Sequence, residues 1–195
     1  MLESRWAYEC ARGYLAPLGR RWSHVRAVGA VAEKLAPAFG GGFDLLVDAA
    51  LLHDIGYSAS LATSGFHPAD GARFLEACGE HQLALLVAHH SGARIEAALR
   101  GIDGYCDEFP WCNTALDKAL TFCDLTTSPS GEPMSLHERV AEILDRYGAD
   151  HVVARSIHSG LPEFEEACAA TAALIEVAGI EVEPARLAGL DRVAV

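Results

Sequence analysis

An apolar helical run that ends in two adjacent polar, ligand-competent side chains constrains this chain more than any other feature. The run is Ala49-Ala50-Leu51-Leu52, and it closes on His53-Asp54 before Ile55-Gly56-Tyr57. A segment this apolar belongs in a core. A carboxylate carried in with it must find a partner, because an unpaired buried charge costs several kcal/mol or more. Two partners are available in principle: hydrogen bonds at a helix C-terminus, or a metal ion. The pair alone favours the first, and the rest of the chain must decide.

The rest of the chain reads as helices. Residues 2–14 form a short amphipathic helix ahead of Pro17. Val25, Val28, Val31, Ala32 and Leu35 recur at helical spacing, so residues 23–36 form the next, with Ser23 as its N-cap. Asp44 caps a third helix over 45–54, stopped by Gly56. Residues 57–66 make a loop. His67 and Pro68 open a helix running to about 77, and another spans 80–90 and ends at Gly92. The stretch 94–113 is irregular, with a short helix at 95–100. A long helix covers 115–125. Ser135 and Glu138 make a capping box for a helix reaching 147. Two helices follow, over 150–159 and 162–178, separated at Pro162. No segment alternates with period two, so the expected class is all-α. A single domain is expected, with a metal-binding core over about 20–128 and a C-terminal helical extension over about 129–180.

Charge and cysteine usage remove several functional classes. The net charge of −12 argues against nonspecific nucleic-acid or anionic-membrane binding, while leaving room for a local basic pocket that holds a phosphate. No stretch approaches the roughly 18 apolar residues of a transmembrane helix. The first residues lack the apolar core of a signal peptide. The six cysteines are scattered and form no C-x-x-C pair. They fit a cytoplasmic protein that uses reduced thiols as small apolar residues.

Six side chains then stand out, each at a helix end or on an otherwise apolar helix: His24, His53, Asp54, His67, His90 and Asp124. A helical bundle can bring such positions to one point in its core. Imidazoles with carboxylates suit divalent iron, manganese, zinc, cobalt or nickel, with magnesium also allowed. One partition gives His24, His53, Asp54 and Asp124 to one ion, and His67 and His90 to a second, with Asp54 as the bridge. Two ions about 3.5–4 Å apart can lower the pKa of a water and stabilise a phosphoryl transition state. Adjacent helical residues point about 100° apart, so one of His89 and His90 is expected in the cluster. His89, Arg94, Thr121 and Tyr57 are candidates for supporting or substrate contacts. His81, His137, His151 and His158 read as surface residues.

The ordered set resembles the HD-domain superfamily of metal-dependent phosphohydrolases. It consists of His24 in Trp22-Ser23-His24-Val25-Arg26, then Leu52-His53-Asp54-Ile55-Gly56, then Asp124 in Phe122-Cys123-Asp124-Leu125-Thr126. His67 and His90 resemble the additional ligands of the two-metal subset, where His90-Ser91 matches a His-Ser or His-Thr arrangement. The resemblance covers residues 20 to 128. It implies hydrolysis of a nucleotide or other small phosphate ester through a metal-activated water, with His53 and Asp54 at its centre. The same superfamily includes mixed-valent diiron oxygenases that cleave carbon–carbon or carbon–phosphorus bonds. A non-catalytic nucleotide- or metal-binding regulator is a third reading, and a homodimer is compatible with each. The chain departs from many hydrolases of the superfamily in one respect: Gly56 and Tyr57 stand where a phosphate-holding lysine often follows the pair. It also lacks the lysine-rich start and Gly-Tyr-Pro segment of the cyclic-di-GMP phosphodiesterase branch.

Overall fold

A computed structural model describes residues 2–190 of the chain. Its helices are α1 (Leu2–Leu15), α2 (Arg20–Leu35), α3 (Phe43–Leu52), α4 (His67–Ala77), α5 (His81–His89), α6 (Ala93–Arg100), α7 (Tyr105–Glu108), α8 (Ala115–Leu125), α9 (Leu136–Tyr147), α10 (Val152–Ala178) and α11 (Pro184–Leu187). Short 3-10 turns lie at Ala16–Leu18, Ala36–Gly42, Ile55–Tyr57 and His90–Gly92. The class is all-α. Among the described residues, extended pairing is limited to one isolated bridge between Thr127 and Pro133.

The most apolar helix, α3, lies at the centre. It packs on α1, α2, α5 and α8. Leu46, Ala49, Ala50 and Leu52 are fully buried in that layer. Each fully buried leucine contributes roughly 1.5–3 kcal/mol of transfer free energy. Because α3 is buried from Leu46 to Leu52, whatever follows its last residue is delivered into the interior. His53 and Asp54 are those residues.

Local chemistry sets the neighbouring elements. Pro68 occupies the first turn of α4, where a missing N–H costs nothing. Capping boxes start α8 (Thr114 with Asp117) and α9 (Ser135 with Glu138). On α9, Leu136, Arg139, Val140 and Ile143 are buried at helical spacing. This places an arginine on the inward stripe of an amphipathic helix.

Three expectations change. Helix α2 begins at Arg20, because Gly19 (φ 54°) turns the chain out of the preceding 3-10 turn and serves as N-cap itself. Ser23 is therefore inside the helix, and His24 sits in its second turn rather than at its start. Helix α3 stops at Leu52, so the His53-Asp54 pair lies in the turn between α3 and the Ile55–Tyr57 3-10 turn. The two C-terminal helices expected around Pro162 are one helix of 27 residues. Proline removes a single backbone donor, and both halves of α10 bury apolar side chains, Ile157 before Pro162 and Phe164, Cys168 and Ile175 after it. That burial holds the helix together across the break. Beyond Gly179 the chain carries the short α11.

Candidate metal centre

Three helices and two turns deliver six ligand-competent side chains to one point. His24 comes from α2 and Asp124 from the last turn of α8. His53 and Asp54 follow α3, His67 opens α4, and His90 follows α5. Their donor atoms form two groups: His24, His53 and Asp124 in one, Asp54, His67 and His90 in the other, each with its donor atoms within 4.8 Å of one another. Five of the six side chains are buried, and His67 is half-buried.

Asp54 spans the two groups. Its Oδ2 lies 3.4 Å from His53 Nε2, and its Oδ1 lies 3.4 Å from His67 Nε2 and 3.9 Å from His90 Nε2. In the first group, Asp124 Oδ1 lies 2.9 Å from His24 Nε2 and 3.9 Å from His53 Nε2. The second oxygen of Asp124 accepts a short hydrogen bond from Ser91 Oγ. Ser91 adopts a left-handed conformation (φ 48°) in the kink after α5, which is uncommon for a residue with a side chain.

The imidazoles are oriented by backbone carbonyls. Nδ1 of His24 donates to Ser128 O at 3.0 Å, that of His53 to Ala50 O at 2.8 Å, and that of His90 to Val87 O at 2.6 Å. A carbonyl oxygen only accepts, so each Nδ1 carries a proton and Nε2 is the ring atom turned to the cluster. The result is an excess of acceptors. His67 Nε2 and His90 Nε2 face each other at 3.2 Å. His53 Nε2 is buried with no hydrogen-bond partner. A pocket of inward lone pairs and two carboxylates fits divalent cations, and the all-nitrogen-and-oxygen donor set suits the harder transition metals.

The two carboxylates draw positive charge to this point, a role that a proton or a metal ion can fill. Burial alone would raise the Asp54 carboxyl, but the charges of His53 and Arg21 outweigh it and hold it well below the usual carboxylate range. Burial of Asp124 is likewise overcome, by the hydrogen bond to His24 and the charge of His53. Burial would lower His53, yet Asp54 and, behind it, Asp124 raise it to about 9. His90 is pushed down to about 3 by burial and by His53 and His67. Two carboxylates are thus kept ionised in the interior, beside an imidazole kept neutral.

The supporting candidates are distributed differently. Tyr57 lies against the cluster: its ring stacks on His67 with centroids 3.9 Å apart, and the Arg21 guanidinium covers the ring 3.8 Å from its centroid. Arg21 also donates to Asp54 Oδ2 at 2.6 Å. His89 is turned away and donates from Nε2 to Phe109 O at 2.6 Å. Arg94 is held by Glu163 and stacks over Trp111, 3.8 Å from its ring centroid, so it is not a cleft residue. Thr121 lines a separate depression with Trp111 and Lys118. Arg94 and Thr121, candidates for supporting or substrate contacts, each face the α10 side of the bundle. His81, His137, His151 and His158 are exposed, as expected.

The cluster opens into a cleft of about 340 Å³. Its walls bring in residues that sequence reasoning did not single out, chiefly Arg21 and, from α9, Arg139. A signal for Arg139 does exist, since it lies on the i, i+3, i+4, i+7 stripe formed with Leu136, Val140 and Ile143.

The profile of the HD domain matches residues 21–150, more than half of the chain. The chain belongs to the HD-domain family. The His53-Asp54 dipeptide lies within the matched span, which runs through α9, so the arginine-bearing wall lies inside it. HD domains bind divalent metals and belong to a superfamily of metal-dependent phosphohydrolases. No curated protein and no solved structure gives a match. No helix among the described residues is long and apolar enough to cross a membrane.

At Gly56, one of the two positions where a phosphate-holding lysine would stand, its absence has a steric reason. A Cβ on Gly56 would lie 2.0 Å from His67 O and 2.7 Å from Gly71 N. The first turn of α4 rests directly on the Gly56 backbone, so this position takes no side chain. Arg21, from α2, supplies a cation at the same edge of the cluster.

Proposed function

We propose that this protein is a metal-dependent phosphohydrolase that releases phosphate from a nucleotide or another small phosphate ester. The observation that carries the proposal is the span of Asp54 between two groups of inward-facing donors, at the floor of a cleft lined by guanidinium groups. In this reading His24, His53, Asp54 and Asp124 hold one divalent ion, and Asp54, His67 and His90 hold a second. Such ions supply Lewis-acid stabilisation of phosphoryl oxygens and lower the pKa of water.

The chain's own residues do the remaining work. Arg21 and Arg139 place guanidinium groups in the cleft wall, where they offset phosphoryl charge and offer planar pairs of donors that match its oxygens. Arg21 is kept in position by Asp54 and by the Tyr57 ring. Tyr57 in turn fixes the plane of His67 by stacking. Ser91 holds Asp124 in one rotamer by donating to its outer oxygen. Phe66, Ile143 and Ile157, also in the cleft wall, give the organic part of the ester an apolar surface and exclude water from the cluster.

The test is phosphate release by protein purified without chelator, measured over a panel of nucleotides and sugar phosphates with several added divalent metals. Turnover that requires metal and disappears in Asp54→Ala supports the reading. A filled site with no turnover on any ester removes it. Two irons per chain, with oxygen consumed on an organic substrate, would replace it with oxygenase chemistry.

A further inference from the structure

A second groove, of about 350 Å³, adjoins the cleft. The two share Arg21, His24, Tyr57, Arg139 and Arg146, so the groove runs outward from the cluster between α2 and α9. Four guanidinium groups line it: Arg20 and Arg21 from α2, Arg139 and Arg146 from α9. No acidic side chain lines it among the described residues. The chain carries only 15 lysines and arginines against 27 acidic residues. Four of those 15 converge on one groove, the reverse of what the overall composition would produce.

The groove's charge is only partly balanced within the protein. Glu142 alone serves both Arg139 and Arg146, the latter at 3.5 Å. Arg21 is taken by Asp54, and Arg20 makes no ion pair among the described residues. Arg139 is buried at 6% exposure, yet its Nε finds no hydrogen-bond partner. A buried guanidinium with an unused donor is costly unless something completes it. Arg139 lines the groove, so an anion there would offset its charge.

We propose that this groove is a second anion site, and that the substrate is a phosphate ester carrying a further anionic group several bonds from the scissile phosphate. The proposal rests on the hydrolase reading for the first phosphate and adds the second charge. The cluster takes the phosphoryl group to be released. Arg20 and Arg146 take the distal group, a phosphate or a carboxylate.

A tethered series tests it: the monophosphates and α,ω-bisphosphates of ethanediol, propanediol and butanediol, with the matching ω-phosphocarboxylates. Dissociation constants are measured by calorimetry on the metal-loaded full chain, alongside phosphate release. At least one doubly anionic compound is expected to bind tenfold or more tightly than its monophosphate. That ratio is expected to fall below threefold in the Arg20→Gln, Arg146→Gln double variant, whose changes are both on exposed positions. The carboxylate arm decides which distal anion is preferred. Equal binding of mono- and doubly anionic esters by the unaltered protein overturns the proposal, as does an advantage that survives in the double variant. If the advantage is present but no ester is hydrolysed, the groove stands and the hydrolase reading falls. If monophosphates are hydrolysed with no advantage for the second charge, the reverse holds.

Discussion

His67 Nε2 and His90 Nε2 stand 3.2 Å apart, and the His90 nitrogen has no proton to share because its ring donates from Nδ1 to Val87 O. Two such atoms attract only through a cation between them or a proton on His67. The proposed second ion is therefore expected to depend on both rings. Elemental analysis should find two ions per chain in the unaltered protein and one in the His67→Ala, His90→Ala double variant. Asp54→Ala should reduce both and abolish turnover. A single ion in the unaltered protein would end the two-ion assignment.

Ser91 reaches Asp124 from a strained backbone position. Ser91→Ala removes that donor and leaves the first donor group intact. Residues that orient a metal ligand in this way typically contribute 10–100-fold in metal affinity or activity. A loss of about that size is expected in metal-dissociation assays, with the helical circular-dichroism spectrum unchanged. Ser91→Gly, which relieves the left-handed strain but still lacks the hydroxyl, should lose as much affinity as Ser91→Ala.

Gly56 takes no Cβ because α4 lies on it. Gly56→Ala is expected to destabilise the fold by about 1–3 kcal/mol, the usual cost of overpacking, read as a lowered thermal midpoint. It should also weaken metal binding, since relief of the clash moves His67. Gly56→Lys, which would restore the more common residue, should be worse than Gly56→Ala.

Arg186 is buried and donates through Nη1 to Thr126 O at 2.6 Å and Thr127 Oγ1 at 2.9 Å, just beyond Asp124. It thereby fastens the end of α8 to the C-terminal segment. Arg186→Met should cost about 3 kcal/mol, because the backbone carbonyl and the hydroxyl lose a charged partner in the interior. Denaturant titration measures the loss.

Glu183 links the same segment to α2. It accepts from Lys34 Nζ at 2.6 Å and from Arg186 Nε at 2.8 Å, which lowers its carboxyl to about 2. A carboxylate depressed in the folded state stabilises it fully above its ordinary pKa of about 4.5, and that contribution fades as the pH falls towards 2. The unaltered protein should therefore melt above Glu183→Gln at neutral pH. The two melting curves should converge between about pH 4.5 and 2. A gap that stays constant over that range would contradict the assignment.

The helices and the six-residue cluster are legible in the sequence for a common reason. Apolar periodicity identifies the core helices, and polar ligands at their ends or on their apolar faces are conspicuous by contrast. Where the expectation slips, a tertiary contact outweighs a local signal. Ser23 is a good N-cap residue, but Gly19 reverses the chain four residues earlier. Pro162 reads as a break, and α10 continues through it on buried contacts. Arg21 stays hidden because it lies among Arg20, Arg26 and other polar residues on α2. Arg139 lies 15 residues beyond Asp124 on the next helix, and only the fold brings α9 over the cluster. His89 and His90 could not be separated by type, and the Phe109 carbonyl separates them.

The carbonyls that aim His53 and His90 belong to Ala50 and Val87, in the final turns of α3 and α5. Helix ends leave such oxygens without intrahelical donors. Each imidazole therefore completes its helix in the same act that fixes its direction, and neither needs an ion to do so. Two of the six ligands are thus aimed by the helices that carry them, so replacing one metal with another should leave their directions and the helical frame unmoved.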